Sequence, residues 1–243
     1  MLVSLARAAF LAIVLTGNAG GALADDLADF IAAAEQVESH NRVAIGYLHS
    51  GNVDLAAIEL DRLRAAWGAM QKRFAGKRPD AFAGNAGYAL LLTDVSMRLV
   101  TADMMLNSGR PEIARQALAA VRADFYDVRR SAGIQVLADC IRDANTAMDA
   151  LMVYDKPGLD WSTPDTASGI VAKVAAYGSV LDRCDAMADA DVRQNPEFRR
   201  LVDGAKASMK FFPQAIAEHD TDLLHRILIE LRSLDNLLAF RYG

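Results

Sequence analysis

Apolar residues recur at intervals of three and four along most of this chain, and that spacing limits the fold more than any other feature. Leu60, Leu63 and Trp67 show it in one segment, and Leu118 and Val121 show it in another. Residues spaced in this way lie on one face of an α-helix. Alternating runs rich in Val, Ile and Thr, which are typical of strands, do not occur. The sequence therefore predicts an all-α protein.

Start and stop signals divide the chain into about eight helices. Gly51 ends one helix and Asn52 caps the next, while Pro111 stands in a first turn, where its missing N–H costs nothing. Asn195 and Asp220 are the predicted N-caps of the last two helices. The predicted helices span residues 26–50, 52–75, 86–108, 111–132, 134–154, 165–189, 196–218 and 221–241.

These helices pair as four antiparallel hairpins, and the first two hairpins share a pattern. Residues 48–67 match residues 106–125 in a Ser-Gly turn, an acidic residue in the next first turn, and an aromatic residue, Trp67 or Phe125. The helix dipole favours an acidic residue at that place. A first-turn acidic residue recurs at Asp222 in the last hairpin. The pattern predicts helical-hairpin repeats of about 55 residues.

Long helices in few hairpins favour two bundle-like halves. One half covers residues 25–132 and the other covers residues 133–243, with Gly133 between them. Two alternatives are open. The halves form one continuous domain, or the hairpins stack as a short α-solenoid with a concave binding face.

Residues 1–24 have the pattern of a secretory signal peptide. Arg7 is the positive residue, residues 8–15 are apolar, and Ala22 and Ala24 frame a cleavage site. No later segment is apolar for long enough to span a bilayer. We therefore expect an exported, soluble protein, which in a Gram-negative cell is periplasmic, with no membrane span after cleavage.

Two cysteines, Cys140 and Cys184, follow the predicted signal peptide. An oxidising compartment favours a disulfide between them, and an antiparallel hairpin places them at similar heights. Neither cysteine belongs to a CxxC or CxxCH motif. The alternatives are two buried free thiols or a soft-metal pair with nearby methionines.

The segment that runs through Leu60, Leu63 and Trp67 to Phe74 resembles the last hairpin of cytochrome c′-type four-helix bundles. In that family the second helix carries a CxxCH haem motif. Here residues 67–71 read Trp-Gly-Ala-Met-Gln, so the haem-attaching cysteines and the axial histidine are missing. The resemblance implies a bundle fold without covalent haem, and it transfers neither electron transfer nor gas binding to this chain.

Metal ligands are sparse in the sequence. Weak candidates are Met187, Met209, His219 and His225, because thioethers suit Cu(I) and imidazole suits several metals. No HExxH motif or close histidine cluster occurs. At helical spacing methionines more often fill a core. We expect no cofactor, with copper or a non-covalent haem as the alternative.

Four carboxylates flank the two cysteines: Asp139, Asp143, Asp182 and Asp185. Opposed pairs on adjacent helices would hold a cation or pair an acid with a base. The alternative, which we favour, is a solvated face with Arg142 and Arg183 as ion-pair partners.

The loop over residues 155–164 is the longest interruption in the third hairpin. It contains Pro157, Leu159 and Trp161, and loops on a rigid scaffold often carry recognition residues. Trp161 is therefore a candidate interaction residue. The alternative is that Trp161 folds back and covers the end of the bundle.

The sequence lacks GxSxG, SxxK and Gly-rich phosphate-loop motifs, and its formal net charge is −5 without a basic stripe. We expect an exported, haem-free binding or protein-interaction module rather than an enzyme or a nucleic-acid binder. Its partner would be another periplasmic protein or a small ligand. The second hypothesis is a periplasmic metal- or haem-handling bundle, and the third is a hydrolase.

Overall fold

The computed structural model describes the backbone of residues 19–243 and the side chains of residues 26–163 and 165–243. This part of the chain is all-α and contains no strand. A 3₁₀ turn, Asp80–Phe82, follows the second helix. The helices are α1 (Ala19–His49), α2 (Val53–Phe74), α3 (Ala86–Asn107), α4 (Pro111–Ser131), α5 (Leu137–Met152), α6 (Pro164–Met187), α7 (Ala190–Gln194), α8 (Pro196–Met209), α9 (Phe212–Ala217) and α10 (Thr221–Tyr242).

Successive helices pack as hairpins, as the sequence predicts. The pairs are α1 with α2, α3 with α4, α5 with α6, and α8 with α10. Each half also closes on itself, because α1 packs against α4 and α5 packs against α10. Closure of this kind defines a bundle, whereas an open solenoid joins each hairpin only to its neighbours in sequence.

Two separate clusters of buried apolar side chains form the interior. One cluster draws its members from α1 to α4, between Phe30 and Val128, and the other draws them from the later helices, between Cys140 and Leu238. The connection between the halves is short. Gly133 has a φ of 71°, a conformation that glycine adopts easily, and the amide of Ile134 donates to the carbonyl oxygen of Arg129.

Several predicted helix bounds are wrong. The fifth helix begins at Leu137 rather than at residue 134, because residues 133–136 form the turn between the halves. The predicted helix 196–218 is two helices, α8 and α9, and Pro213 lies in the first turn of the second, where it cannot continue the preceding hydrogen-bond ladder. The short helix α7 lies in a predicted loop.

Two of the three predicted N-cap residues make a side-chain capping hydrogen bond. Asn195 accepts hydrogen bonds from the amides of Glu197 and Phe198, and Asp220 accepts one from the amide of Leu223, so these two predictions are confirmed. Asn52 occupies the N-cap position of α2, as predicted, but its side chain makes no capping hydrogen bond. Its Nδ2 donates to the hydroxyl of Ser50.

The predicted signal peptide lies mostly outside the described residues. Only residues 19–24 belong to the described backbone, where they continue α1. Within residues 19–243 we find no helix that combines the length and the apolar character needed to cross a bilayer.

Candidate functional site

A cleft lies where the two halves meet, between α1, α4 and α10. Its volume is about 360 Å³, within the range of small-molecule pockets, about 300–1,000 Å³. We term it the α1–α10 cleft, and its lining includes Asn41, Arg42, Ile45, Arg122, Ala239 and Phe240.

The walls of the cleft are apolar. Ile45 of α1 and two residues of α10, Ala239 and Phe240, line it. A Cβ placed on Gly46 would lie 2.8 Å from Cε2 of Phe240, which is closer than real Cβ atoms approach a neighbour. Glycine at this position lets the Phe240 ring lie directly against the α1 backbone, and this close approach shapes one wall of the cleft.

The lining of the cleft includes a buried amide, the side chain of Asn41, which is 1% exposed. Its Nδ2 donates to the carbonyl oxygen of Leu118 at 3.0 Å, and this bond fixes the orientation of the side chain. Its Oδ1 is buried and has no hydrogen-bond partner. Because a buried acceptor without a donor costs about 1–3 kcal/mol, an O–H or N–H group that reached this oxygen would stabilise the protein.

Two arginines give the cleft a positive lining. Arg42 donates from Nη1 to the carbonyl oxygen of Gly243 at 2.6 Å and from Nη2 to Glu35 at 2.7 Å. Burial lowers the pKa of Arg122, and the positive charge of Arg142 lowers it further. The Arg122 guanidinium stays charged at neutral pH, because arginine is not deprotonated in proteins. The lining thus contains two guanidinium groups and one carboxylate, that of Glu38.

A buried ion cluster fixes α1, α4 and α5 beside the cleft. Arg129 donates from Nη1 and Nη2 to Glu38 at 2.7 and 3.0 Å, and from Nε and Nη2 to Asp139 at 2.8 and 2.6 Å. The Arg129 side chain is only 2% exposed. Burial acts to lower the pKa of Arg129, but the two carboxylates outweigh it and the pKa is raised. Since Glu38 belongs to the first half and Asp139 to the second, this cluster joins the halves.

The cysteines lie at disulfide distance, as predicted. The two sulfurs are 2.16 Å apart and the Cα atoms of Cys140 and Cys184 are 5.5 Å apart. Both residues are buried in the second core, so the bond connects α5 to α6 inside the bundle. Sulfurs bonded to each other are not available as thiolate ligands or nucleophiles.

The four candidate carboxylates do not converge on one point, because each pairs with a basic side chain. Asp139 pairs with Arg129, as described above. The other pairs are Asp143 with Arg183 at 2.8 Å, Asp182 with Lys206 at 2.8 Å, and Asp185 with Arg199 at 2.5 Å. Arg183 thus has the predicted role. Arg142 does not, since it lies 4.1 Å from the centre of the Tyr126 ring.

The candidate metal ligands are engaged in other contacts. His225 hydrogen-bonds to Asp155 at 2.6 Å, and His219 stacks on Trp161. Met187 and Met209 pack against the second core. In the described part of the chain, no group of three or more His, Cys, Asp or Glu side chains is arranged to hold a metal ion.

The candidate interaction loop lies against the end of the second bundle. The indole N–H of Trp161 donates to Thr221 at 2.9 Å, and its ring stacks on His219 with the centroids 5.4 Å apart. Leu159 is buried in the second core, and Pro157 is exposed at the surface. These contacts are those of a loop that covers the bundle end.

Comparison with known proteins gives no match, since no protein-family model, no curated protein and no solved structure is similar to this chain.

The residues that form the cleft and the ion cluster were not predicted from the sequence. Glu38 and Asn41 lie in the same helical stripe as the buried residues Phe30, Ala34 and Val37. Polar residues at positions where the spacing predicts core were the available signal, because a buried polar group needs a partner.

Proposed function

We propose that this protein is a non-catalytic binding module, and that the α1–α10 cleft takes a small, mostly apolar molecule with one hydroxyl or carboxylate group. The observation that carries the proposal is the unpartnered Oδ1 of Asn41, a residue that lines an apolar-walled cavity of about 360 Å³. The apolar part of the ligand would lie between Ile45 and Phe240. A hydroxyl would donate to Asn41, which a purely apolar molecule cannot do.

The charges of the lining support a neutral or anionic ligand over a cation. Arg42 and Arg122 face the cleft, and the one acidic lining residue, Glu38, is already bonded to Arg129. A ligand carboxylate would interact favourably with the guanidinium groups, whereas an ammonium group would be repelled.

The proposal includes export and the absence of a resident cofactor. The sequence of residues 1–24 supports cleavage before Asp25 and a periplasmic location, and a disulfide fits an oxidising compartment. The resemblance to cytochrome c′-type hairpins is then one of fold alone. Intact-mass analysis of the exported protein tests the cleavage site. Stoichiometric copper, iron or haem in that sample would favour the metal- or haem-handling hypothesis instead.

Calorimetric titration with three eight-carbon probes tests the binding proposal. We expect saturable binding of 1-octanol and of octanoate, and binding of octylamine that is weaker than that of octanoate by about tenfold or more. Failure of all three probes to bind would overturn the proposal.

Two matched variants locate the binding. Ile45→Trp fills the cleft and should weaken octanol binding by about tenfold or more, since the added ring occupies the space of the ligand. Ile58→Trp makes the same change at an exposed position of α2 and should leave binding unchanged. Equal affinities in both variants would place the binding elsewhere.

A further inference from the structure

The outer face of α3 is unusually apolar for an exposed helix surface. Leu90, Met97, Val100 and Met104 are 60%, 56%, 57% and 55% exposed. The opposite face of the same helix, with Leu91, Val95 and Leu99, is buried in the first core. α3 is thus apolar on both sides, although within the structure it packs only on one side, against α2 and α4.

The exposed residues have the spacing of a helix that pairs with another helix. Six exposed residues of α3 are separated by alternating steps of three and four, and we call this set the α3 face: Leu90, Thr93, Met97, Val100, Met104 and Asn107. These are the a and d positions of a heptad repeat, and they place one continuous row along the helix. None of the six residues is charged.

The charges beside the α3 face are largely neutralised within the chain. Asp103 lies 3.4 Å from Arg64, and Arg98 pairs with Asp124 at 2.5 Å. No row of lysines or arginines borders the face, as an anionic lipid surface would require. A neutral apolar face of this kind fits another neutral apolar helix.

We infer that the α3 face binds the α3 face of a second copy of this chain, in an antiparallel pair whose two-fold axis passes between Met97 and Val100. These residues are the middle pair of the row, so antiparallel pairing about them engages all six positions. Antiparallel helix dipoles attract each other. Asp94 then faces Thr101 of the second copy, and Asp103 faces Ser96 of the second copy, so no like charges meet.

The surface area of the α3 face limits how stable the dimer can be. A helix of 22 residues is about 33 Å long and about 10–12 Å wide, so α3 alone offers about 330–400 Å². A stable standard interface buries about 800 Å² on each partner. The face supplies about half of that area, and we expect a reversible dimer whose population rises with concentration.

Sedimentation equilibrium over a range of protein concentrations tests the inference. The wild type should move from monomer to dimer as concentration rises. Met97→Glu should weaken the dimer by about tenfold or more, because it places two carboxylates near the axis. Val171→Glu changes an apolar residue of α6 with a similar exposure, 55%, and should leave the dimer unchanged.

Added cysteines test the relative orientation of the two α3 helices. The natural cysteines, Cys140 and Cys184, are within bonding distance of each other and do not compete for the cross-link. Val100→Cys lies beside the proposed axis and should cross-link to its own copy on oxidation, whereas Leu90→Cys should not. Equal cross-linking at both positions would indicate a parallel pair and overturn the antiparallel arrangement. A protein that stays monomeric while its α3 face binds lipid vesicles or an unrelated helix would overturn the dimer. These outcomes are independent of ligand binding in the α1–α10 cleft.

Discussion

The two halves of the molecule have the same helical-hairpin construction but different interiors. The first core contains a cluster of aromatic rings, in which Phe30 lies 5.4 Å from Phe74 and 4.8 Å from Phe82, measured between centroids. The second core contains a disulfide and a buried carboxyl, Asp235, which is 0% exposed. The stability that comes from apolar packing changes little with pH or redox state. A disulfide makes stability depend on redox state, and a buried carboxyl makes it depend on pH. The second half should therefore be the part whose stability depends on redox state and on the protonation of Asp235.

Each half has its own tryptophan, Trp67 in the first core and Trp161 at the end of the second bundle. The chain contains two tryptophans, so Trp161→Phe and Trp67→Phe each leave one fluorescent reporter. Urea unfolding of these two reporter proteins measures the halves separately, and the experiments below use them.

The largest effect is expected at the ion cluster that joins the halves. Arg129→Leu leaves Glu38 and Asp139 buried without their counter-charge, and such a loss typically costs about 3–5 kcal/mol. Both reporters should show lower urea midpoints, because the cluster connects both halves. The adjacent exposed residue gives the control, and Arg130→Leu should change stability by about 1 kcal/mol or less. Equal effects of the two substitutions would contradict the role of the cluster.

Removal of the disulfide should affect the second half more than the first. The bond closes a loop across a sequence separation of 44, and its loss typically costs about 2–4 kcal/mol by freeing the unfolded chain. Reduction, or Cys140→Ala with Cys184→Ala, should lower the midpoint reported by Trp161 more than that reported by Trp67. Equal shifts at both tryptophans would show that the halves unfold as one unit.

The buried carboxyl makes the stability of the second half depend on pH. Burial raises the pKa of Asp235 to about 6, against the hydrogen bond from Asn145 and the charge of Arg232, which act to lower it. The folded state therefore binds the proton more tightly than the unfolded state. This contribution is fully present below pH 4 and is lost as the pH rises through 6.

Asp235→Asn removes that pH dependence. Its amide can accept from Asn145 and donate to the hydroxyl of Tyr177, two of the groups that contact the carboxyl now. Between pH 4 and pH 8 the wild type should lose up to about 3 kcal/mol relative to this variant. Glu230→Gln changes an exposed carboxyl of the same helix and should keep the wild-type pH profile. An unchanged profile in Asp235→Asn would contradict the assignment.

The smallest expected loss of stability comes from removing an N-cap side chain, and one N-cap is compared in each half. Asp220 accepts a hydrogen bond from Leu223 at 2.8 Å, whereas Asn52 makes no capping bond. Asp220→Ala should cost about 1 kcal/mol, a typical value for a lost N-cap. Asn52→Ala should cost less, about 0.5 kcal/mol or below. Thermal unfolding of the two variants measures the difference, and a larger loss for Asn52→Ala would contradict it.

Much of the fold was predictable because its causes are local. Apolar spacing predicted the long helices within a few residues, and Pro111 and Asp220 marked helix starts correctly. The disulfide pairing followed from two cysteines on one hairpin. The break between α8 and α9 was not predicted, because the apolar spacing continues across Pro213, which can occupy the first turn of a new helix.

The candidate site was not predictable in the same way. Asn41, Arg122 and Phe240 come from three helices far apart in sequence, and only the packing of the halves brings them together. No spacing rule connects residues 41 and 240. The absence of a partner for Asn41 Oδ1 is likewise a property of the assembled structure.

The most direct test of the proposed site is a crystal structure of the protein soaked with 1-octanol. The proposal predicts an alkyl chain between Ile45 and Phe240, with the hydroxyl oxygen within about 3.2 Å of Asn41 Oδ1. An octanol molecule bound elsewhere, with the α1–α10 cleft occupied only by water, would contradict it.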